Sequence, residues 1–398
     1  MAPVKLNPAQ VLGAAALGVF IGGWLKRKIP VLDRWNIPVP IAGGMVFALA
    51  ALALHGRIVN VEADTLLRDL LMIAFMSTIG LGASVQLLRK GGRQVILLLV
   101  LSSLGAVLQN LLGIGLAMSM GIDKRLGILA GSVALAGGPA TALAWGDKFE
   151  SWGVHGATTA AMAAATFGIA VAGLIGGHIG GQLIRRRALR STAAAAQPAG
   201  SARSARTYDP ATLLSTVLAI GVAMGIGNLL SQQIESRGIR LPAYIGAMIV
   251  AAAIRNGNDR FGWIRIPQAD IDTIGRVALY LFITMALLTL RLWELAHLAL
   301  PLLVILTAEV ALCWLMCVLF PFRFPFRGIR RDYENAVTSA GFCGYMLGIT
   351  ANAMASMEEL AEKYGPAPES FLAVPVVGAF LVDFTNSFII TAFANLFR

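Results

Sequence analysis

Two glycine-rich stretches interrupt long apolar runs of the chain: residues 131–141 read GSVALAGGPAT, and residues 339–352 read SAGFCGYMLGITAN. Glycine and proline break helices, and a helix broken at membrane depth leaves backbone N–H and C=O groups that hydrocarbon cannot satisfy. Such backbone persists only where it lines a cavity or binds a solute. The alternative is a close-packed helix, since small residues also drive contact between membrane helices. Their occurrence in both halves of the chain favours a transport site.

The composition places these stretches in a membrane protein. Of the 398 residues, 57% are hydrophobic and 13% are charged, whereas an ordinary soluble domain has about 25% charged residues. The mean hydropathy is +0.74. This charge density cannot cover a soluble globule of this size, which excludes a water-soluble enzyme, a disordered chain and a coiled coil. We expect an all-α polytopic membrane protein.

Ten apolar runs are predicted to cross the membrane, because about 17–25 apolar residues span its hydrocarbon layer. The predicted spans are 9–25, 39–55, 70–88, 94–120, 156–184, 211–234, 241–254, 277–290, 297–320 and 370–397. Lys26, Arg27 and Lys28 follow the first run directly, so it is interpreted as a membrane helix and not as a cleaved signal peptide.

The net charge of +11 orients the chain. With both termini outside, about two-thirds of the 32 Lys and Arg residues lie on the inner side, as the positive-inside rule requires. The Arg-, Ala- and Ser-rich linker 185–210 is then cytoplasmic. Contact with anionic membrane lipid explains the basic loops. Nucleic-acid binding is excluded, because no aromatic residues are interleaved with the arginines.

Counting the spans on each side of the linker predicts an inverted repeat. Residues 1–184 and 211–398 each hold five spans, so the glycine-rich segments at about 125–146 and 335–357 must enter and leave on one side. The fold expected is two inverted five-helix repeats, each with a re-entrant hairpin before its last helix. Pro40 and Gly44 recur in the second half as Pro242 and Gly246, which is a faint internal echo.

Intramembrane carboxylates mark the candidate cation site. Of the 21 acidic residues, only Glu309 and Asp383 lie inside a predicted span, where a charge costs roughly 2.5–3.5 kcal/mol. Asp383, Asn386 and Ser387 share one helical face and offer the oxygen ligands that a hard cation prefers. The alternative is a hydrogen-bond cluster that only packs the helices. For Glu309, structural pairing, a subunit contact and a proton role all stay open.

The hairpin tips are the candidate substrate site, since broken helices direct backbone N–H groups and a positive dipole end at anions. No lysine or arginine is placed inside a predicted span, so backbone amides and hydroxyls are expected to hold an anionic substrate. The candidate substrate-binding residues are Gly137, Gly138, Thr141, Gly344, Gly348, Thr350 and Asn352.

Motifs for other chemistry are missing from the sequence. No G-x-x-x-x-G-K-[ST] loop is present, which disfavours a nucleotide-driven pump. Neither the histidines nor Cys313, Cys317 and Cys343 show metal-ligand spacing, and no Ser–His pair indicates a protease. We expect a transporter driven by an ion gradient, not an enzyme, with no cofactor and no metal other than transported sodium.

The chain resembles the bacterial sodium:glutamate symporter family nearly end to end. Matching stretches are residues 37–44 (IPVPIAGG), 74–83 (AFMSTIGLGA), 129–132 (LAGS), 165–168 (ATFG), 292–296 (LWELA) and 374–380 (VPVVGAF), with the pair Asp383 and Asn386. The resemblance implies sodium-coupled uptake of L-glutamate, a homodimer, glycine hairpins that meet at the substrate, and an elevator-type movement.

Three departures from the family pattern lie at the hairpins. Residues 137–141 read GGPAT where the family tends to have a GGHGT-like motif, Phe342 stands where a histidine is usual, and residues 346–351 (MLGITA) replace a GxGATP-like tip. We predict secondary active symport of sodium with L-glutamate. The alternatives are a carrier of the same fold for another amino acid or small carboxylate, and a channel or membrane scaffold.

Overall fold

The computed structural model describes residues 4–34, 37–54, 61–86, 92–191, 209–238, 242–295, 298–323 and 332–397, and these are almost entirely helical. The first half contains β1 (Val4–Leu6), α1 (Pro8–Lys28), α2 (Pro30–Arg34), α3 (Val39–Leu54), β2 (Val61–Ala63), α4 (Leu66–Gly82), α5 (Gly92–Ser119), α6 (Lys124–Ile128), a π turn (Leu129–Val133), α7 (Gly138–Ser151) and α8 (Ala157–Arg187). The short strands β1 and β2 pair in parallel.

The second half is also almost entirely helical. It contains α9 (Pro210–Ser236), α10 (Tyr244–Phe261), α11 (Gln268–Leu288), a 3-10 turn (Leu292–Leu295), α12 (Ala299–Arg323), α13 (Tyr333–Leu347), α14 (Thr350–Tyr364), α15 (Pro368–Val376), a second π turn (Val377–Leu381) and α16 (Val382–Leu396). Of the predicted linker 185–210, residues 192–208 lie outside the described part of the chain.

Seven helices of the described residues are long and apolar enough to cross a membrane: α1, α5, α8, α9, α11, α12 and the unit formed by α15 and α16. The predicted spans 39–55 and 70–88 correspond to α3 and α4, which have 16 and 17 residues. Helices of that length extend about 24–26 Å, slightly less than the ~30 Å hydrocarbon layer. The chain is therefore a multi-pass helical membrane protein, as its composition predicts.

Local sequence explains where the long helices begin and end. Asn7 caps α1 in a capping box with Gln10, and Asp209 caps α9 directly before Pro210. Side-chain caps of this kind satisfy N–H groups that the first helical turn leaves free. Basic residues fill the last turns of α1 and α8, where positive charge is favourable at the negative end of the helix dipole.

Several helix boundaries differ from the prediction. Helix α4 ends at Gly82 instead of 88, where the Ala83 carbonyl accepts a hydrogen bond from Asn256 Nδ2 at 2.9 Å. Helix α10 continues past 254 to Phe261, because Arg255 pairs with Asp259 one turn later at 3.0 Å. Helix α11 begins at Gln268 instead of 277. Charged residues at these ends therefore belong to helices and not to loops.

Helix packing divides the molecule into two bodies. The first body consists of α1, α3, α4, α9, α10 and α11, which are the first three long helices of each half. The second body consists of α5 to α8 and α12 to α16. Glycines bring first-body helices close together: a Cβ on Gly43 would lie 1.8 Å from the Gly18 carbonyl oxygen, and one on Gly246 would lie 2.0 Å from that of Gly227.

Both glycine-rich segments fold as helical hairpins within the second body. The first hairpin comprises α6, the first π turn and α7, and the Arg125 guanidinium at its start donates to the Trp152 carbonyl beyond its end at 3.2 Å. The second hairpin comprises α13 and α14, and the Tyr333 hydroxyl at its start donates to the Leu360 carbonyl at 3.2 Å. The start and the end of each hairpin therefore lie close together, and the hairpins cover ranges slightly longer than 125–146 and 335–357.

Candidate functional site

A cavity of about 490 Å³ lies between the two bodies and is the candidate site. The tips of both hairpins line it with residues 136–141 and 348–351. The first body contributes α4, the end of α1, and the face of α11 between Ile271 and Ile283. The turn between α15 and α16 completes the wall with Gly378, Phe380 and Asp383. The two hairpin tips and the break between α15 and α16 therefore border the same cavity.

The first hairpin reaches the cavity through an irregular tip. Gly131 has non-helical backbone angles (φ −86°, ψ −127°), and the Gly137 N–H donates to the Ser132 carbonyl at 2.9 Å. Gly138 adopts a left-handed φ of +65°, a conformation that glycine reaches without strain. Pro139 then lies in the first turn of α7, where it lacks only an N–H that the helix does not use. The N-terminus of α7 consequently lies at the cavity.

The second hairpin brings a second helix N-terminus to the same place. Helix α13 ends at Leu347, Gly348 and Ile349 are non-helical, and α14 begins at Thr350. A Cβ built on Gly138 would lie 3.7 Å from Ile349 Cγ2, so the two tips are neighbours. Helix N-termini carry a partial positive charge and free N–H groups, and two of them at one cavity form a site suited to an anion.

The break between α15 and α16 supplies the third part of the cavity. The π turn at Val377–Leu381 follows Pro375, which cannot donate a helical hydrogen bond. The Gly378 carbonyl accepts a hydrogen bond from the Thr350 hydroxyl at 2.8 Å and so ties this break to the second hairpin. Asp383 follows at the start of α16 and faces the cavity. Within the described residues, no hydrogen bond or ion pair to its carboxylate is found.

Charged side chains of the first body face these tips. Arg276 lies in the third turn of α11, about 12 Å along the axis of a membrane-spanning helix, and lines the cavity. The expectation that no basic residue lies inside a span is therefore wrong. Arg276 is exposed and borders the cavity, and a charge within a membrane helix is tolerated where it faces such a space. Asp272 lies one turn earlier, and Lys26, paired with Asp33 at 3.2 Å, completes the rim.

Outside the cavity lining, three contacts connect the two bodies. Arg68 of α4 forms an ion pair with Asp147 of α7 at 2.8 Å, and Lys148 of α7 pairs with Glu235 of α9 at 2.8 Å. Deeper in, the buried Trp145 indole donates to the Tyr244 hydroxyl at 3.0 Å. All three contacts join α7 to the first body. We call these three contacts the α7 latch.

Outside the membrane spans, the loop before the first hairpin is also held by charge. Asp123 caps α6 through the backbone N–H of Arg125 at 2.9 Å. Hydrogen bonds from the Arg125 side chain lower the pKa of the Asp123 carboxyl, so that it stays ionised. This local pair fixes the point where the chain turns from α5 into the hairpin.

Comparison with known proteins decides the family. A sequence model described as Sodium/glutamate symporter matches residues 4–366. The chain belongs to the sodium/glutamate symporter family. It is 36% identical to the sodium/glutamate symporter of Escherichia coli (strain K12) over 397 residues, which cover 98% of each chain. It is 34% identical to that of Haemophilus influenzae over 388 residues, which cover 95% of each.

Membership confirms the resemblance that the sequence motifs predict. The sodium/glutamate symporter family transports and does not catalyse a chemical conversion, and its coupling ion is sodium without a further cofactor. The three departures from the family pattern lie in different parts of the structure. Pro139 lines the central cavity, whereas Phe342 lies outside it, 5.6 Å from the Tyr345 ring centroid and beside a second cavity. The first and third departures therefore touch the candidate site, since residues 348–351 also line the cavity, whereas Phe342 does not.

In this symporter-family chain, the cavity collects six of the residues predicted from sequence. They are Gly137, Gly138, Thr141, Gly348, Thr350 and Asp383. The other four residues lie behind the cavity wall. A Cβ on Gly344 would lie 2.4 Å from Ala353, so Gly344 packs the two arms of the second hairpin together, and Asn352 donates to the Ile169 carbonyl at 2.7 Å. The Asn386 amide and the Ser387 hydroxyl, which donates to the Asp383 carbonyl, are buried in α16.

A second polar cluster surrounds the break in the first hairpin. The Asn110 side-chain oxygen accepts from the Ser132 N–H at 3.1 Å, and Asn386 donates to the Ser132 carbonyl at 2.9 Å. Among the described residues, three buried oxygens of this region have no hydrogen-bond partner: Ser132 Oγ, Asn386 Oδ1 and Gln109 Oε1. We call Gln109, Asn110, Ser132 and Asn386 the Ser132 cluster.

Of the four residues in the Ser132 cluster, the sequence predicts only Asn386 as a site residue. Gln109 and Asn110 lie in the middle of the apolar run 94–120, where two adjacent amides are expensive unless they have partners. The free-energy cost of burying these two amides without partners is the sequence feature that points to them. Glu309 is fully buried and lies outside the central cavity, and neither carboxylate oxygen has a partner within the described residues.

Proposed function

We propose that this chain is a secondary active transporter that couples the entry of L-glutamate to sodium across the bacterial inner (cytoplasmic) membrane. The observation that carries the proposal is the central cavity, where two helix N-termini, Arg276 and Asp383 face one space between two bodies. Relatives at 34–36% identity that bear the name sodium/glutamate symporter support it.

The charges of the cavity fit an amino acid with two carboxylates. Arg276 and the N-termini of α7 and α14 suit the carboxylates, since charge-assisted hydrogen bonds are the strong ones. The Asp383 carboxylate suits the ammonium group or the coupling cation. In this proposal Gly137, Gly138, Thr141, Gly348 and Thr350 contact the substrate. Gly344 and Asn352 act indirectly, because they hold the second hairpin in shape.

For sodium, we propose that Asp383 and the α16 face with Asn386 and Ser387 form the binding region, together with the Ser132 cluster. Sodium is a hard cation that prefers oxygen ligands. The unpartnered oxygens of Ser132, Asn386 and Gln109 are the candidates, because a buried acceptor without a partner costs free energy that a bound cation recovers. Asp383 adds a full negative charge on the adjoining cavity wall.

We propose that the two bodies move against each other in an elevator-type cycle. Both hairpin tips belong to the second body, so substrate and sodium would travel with it while the first body stays fixed. The two halves would form inverted repeats with re-entrant hairpins, and both termini would lie outside. With the linker cytoplasmic, the rim at Lys26 faces inward and the α7 latch lies outside, so the cavity is open to the cytoplasm.

Two partners complete the proposal. The family resemblance implies a homodimer, with the first body as the natural place for the contact. The basic linker and the inner loops are expected to contact anionic lipid head groups at the cytoplasmic surface.

Uptake of labelled glutamate into liposomes that hold the purified chain tests the proposal. We expect uptake that requires an imposed inward sodium gradient and exceeds that of empty vesicles. Pro139 in the cavity wall favours one alternative, a carrier for another small carboxylate, and competition by unlabelled acids distinguishes it. Preloaded substrate should accelerate the exchange of label, as carriers allow and channels or scaffolds do not. If glutamate is not taken up but another acid is, the substrate assignment is wrong and the fold assignment stands.

A further inference from the structure

Three thiols converge inside the second body, away from the central cavity. Cys313 and Cys317 lie one turn apart on α12, and Cys343 lies on α13 of the second hairpin. Their sulfur atoms lie within 4.8 Å of one another, all three residues are buried, and none forms a disulfide. They are the three cysteines of the whole chain. The cluster therefore bridges a membrane helix and a hairpin that shapes the proposed transport site.

The spacing of the sulfur atoms suits a soft metal ion. A metal–sulfur bond of about 2.3 Å places the sulfurs of a three-coordinate site roughly 4 Å apart, which the observed limit accommodates. Soft thiolate ligands select ions such as Cu⁺, Zn²⁺ and Cd²⁺ over Na⁺ or Mg²⁺. Buried cysteines often serve only as small apolar side chains. Convergence of three from two separate elements goes beyond what such packing requires.

A second cavity gives this cluster a path to solvent. It has a volume of about 290 Å³ and is lined by Cys317, by the thioether side chain of Met316 and by Ser339, whose carbonyl accepts a hydrogen bond from the Cys317 thiol at 3.4 Å. The charged residues that line it are three acidic residues and one basic residue: Asp332, Glu334, Glu369 and Arg93. The excess of carboxylates attracts cations toward the thiols.

We propose that Cys313, Cys317 and Cys343 form a binding site for a soft metal cation, reached through this second cavity. A divalent ion displaces two protons to bulk water and forms two metal–thiolate bonds. The third thiol stays protonated and donates a lone pair, so the complex remains neutral in its apolar surroundings. Bound metal ties the second hairpin to α12 and restrains its movement within the second body.

Titration of the purified, reduced chain with Cd²⁺ tests the proposal without any transport measurement. We expect sulfur-to-cadmium charge-transfer absorbance that saturates at one Cd²⁺ per chain. Cys343→Ser should lower the affinity at least tenfold, and so should Cys313→Ser. Met316→Leu is the matched control, because it changes a cavity-lining sulfur outside the cluster. It should leave the titration unchanged.

The triple variant in which all three cysteines become alanine separates binding from folding. It should elute as the wild-type chain does on size exclusion and show no charge-transfer absorbance. Absence of a band in the wild type, or a titration that Cys343→Ser leaves intact, would overturn the site. In liposomes, Cd²⁺ should slow substrate uptake by the wild type and not by Cys343→Ala. If Cd²⁺ does not slow uptake by the wild type, or slows Cys343→Ala equally, the proposed restraint on the hairpin is wrong, whereas the metal site stands.

Discussion

The two hairpins occupy corresponding places in the two halves of the chain, yet they are held differently. The first hairpin is joined to the first body by the α7 latch. The hydrogen bonds described for the second hairpin end within the second body, at Ile169, Gly378 and Ser370. The first hairpin is therefore bonded to the first body, whereas the hydrogen bonds described for the second hairpin stay within the second body. In the alternate state of an elevator cycle, we expect these roles to be exchanged.

The largest effect is expected at Arg276, which lines the same cavity as both hairpin tips. Its replacement tests the anion site that the two hairpins form together. Arg276→Gln removes a charge-assisted contact worth about 1.5–3 kcal/mol. That corresponds to roughly a ten- to hundredfold rise in the KM for substrate in the liposome assay. Lys26→Gln, at the rim and paired with Asp33, serves as the control and should change KM far less. Equal effects of the two variants would mean that the cavity attracts anions without a specific contact.

Asp383→Asn tests the wall beside the second hairpin. Removing the carboxylate should raise the sodium concentration for half-maximal uptake by more than tenfold while expression and oligomeric state stay unchanged, because a neutral amide cannot balance a cation. Asp272→Asn on the exposed cavity rim is the control and should retain sodium activation. Unchanged sodium activation in the Asp383 variant would make this residue structural.

Two buried amides distinguish the hairpins directly. Asn386 contacts the Ser132 carbonyl of the first hairpin, and Asn352 anchors the second hairpin to Ile169. Asn386→Ala should raise the half-maximal sodium concentration about tenfold, which corresponds to 1.4 kcal/mol. Asn352→Ala should lower the free energy of unfolding by about 1–3 kcal/mol and keep sodium activation. If instead Asn352→Ala raised the half-maximal sodium concentration and Asn386→Ala only lowered the free energy of unfolding, the cation would bind at the second hairpin.

Gly138→Ala tests the irregular first tip. Space exists for the new Cβ, whose nearest neighbour lies at 3.7 Å, so the cost is that of a left-handed backbone, about 1–2 kcal/mol. Thermal unfolding in detergent should show this destabilisation. Gly13→Ala, in the helical interior of α1 with open space around it, should instead stabilise slightly. Destabilisation of both variants alike would indicate a general effect of added methyl groups.

The smallest effect is expected at the latch itself. Lys148 pairs with Glu235 with side chains 25% and 40% exposed, and such pairs contribute about 0–1 kcal/mol. Lys148→Ala should therefore shift the balance between open and closed states less than fivefold. Arg68→Ala breaks a less exposed pair and should shift it further. Access of a membrane-impermeant thiol reagent, added outside, to Thr141→Cys in the cysteine-free chain reports the shift, because Thr141 lines the cavity and is not part of the latch. No increase for either variant would argue against a latch.

Much of the fold could be predicted because membrane helices obey strong constraints. Long apolar runs predict most of the helices, and the glycine-rich stretches coincide with the two helical hairpins. The predicted spans end at 254 and begin at 277, whereas α10 continues through Arg255 to Phe261 and α11 begins at Gln268. Hydropathy identifies helix residues that contact lipid. It does not identify helix residues that face a charged partner or a cavity.

The candidate site was predicted less completely for the same reason. Six of the ten predicted residues line the cavity, since breaks in helices must be near it. Arg276 was missed because a sequence does not reveal which face of a helix borders water. Gln109 and Asn110 were missed because their partners, Ser132 and Met346, lie on other elements. Contacts between distant segments have no local signature.

The meeting of the α7 and α14 N-termini has a consequence for any mutational survey of this protein. Peptide amides have no side chain to truncate and no proton to release at neutral pH. A scan by alanine will therefore leave much of the attraction for an anion intact, and acidification will not switch it off. Replacing single peptide links by esters at positions 140 and 351, which both line the cavity, would measure the contribution of these backbone amides.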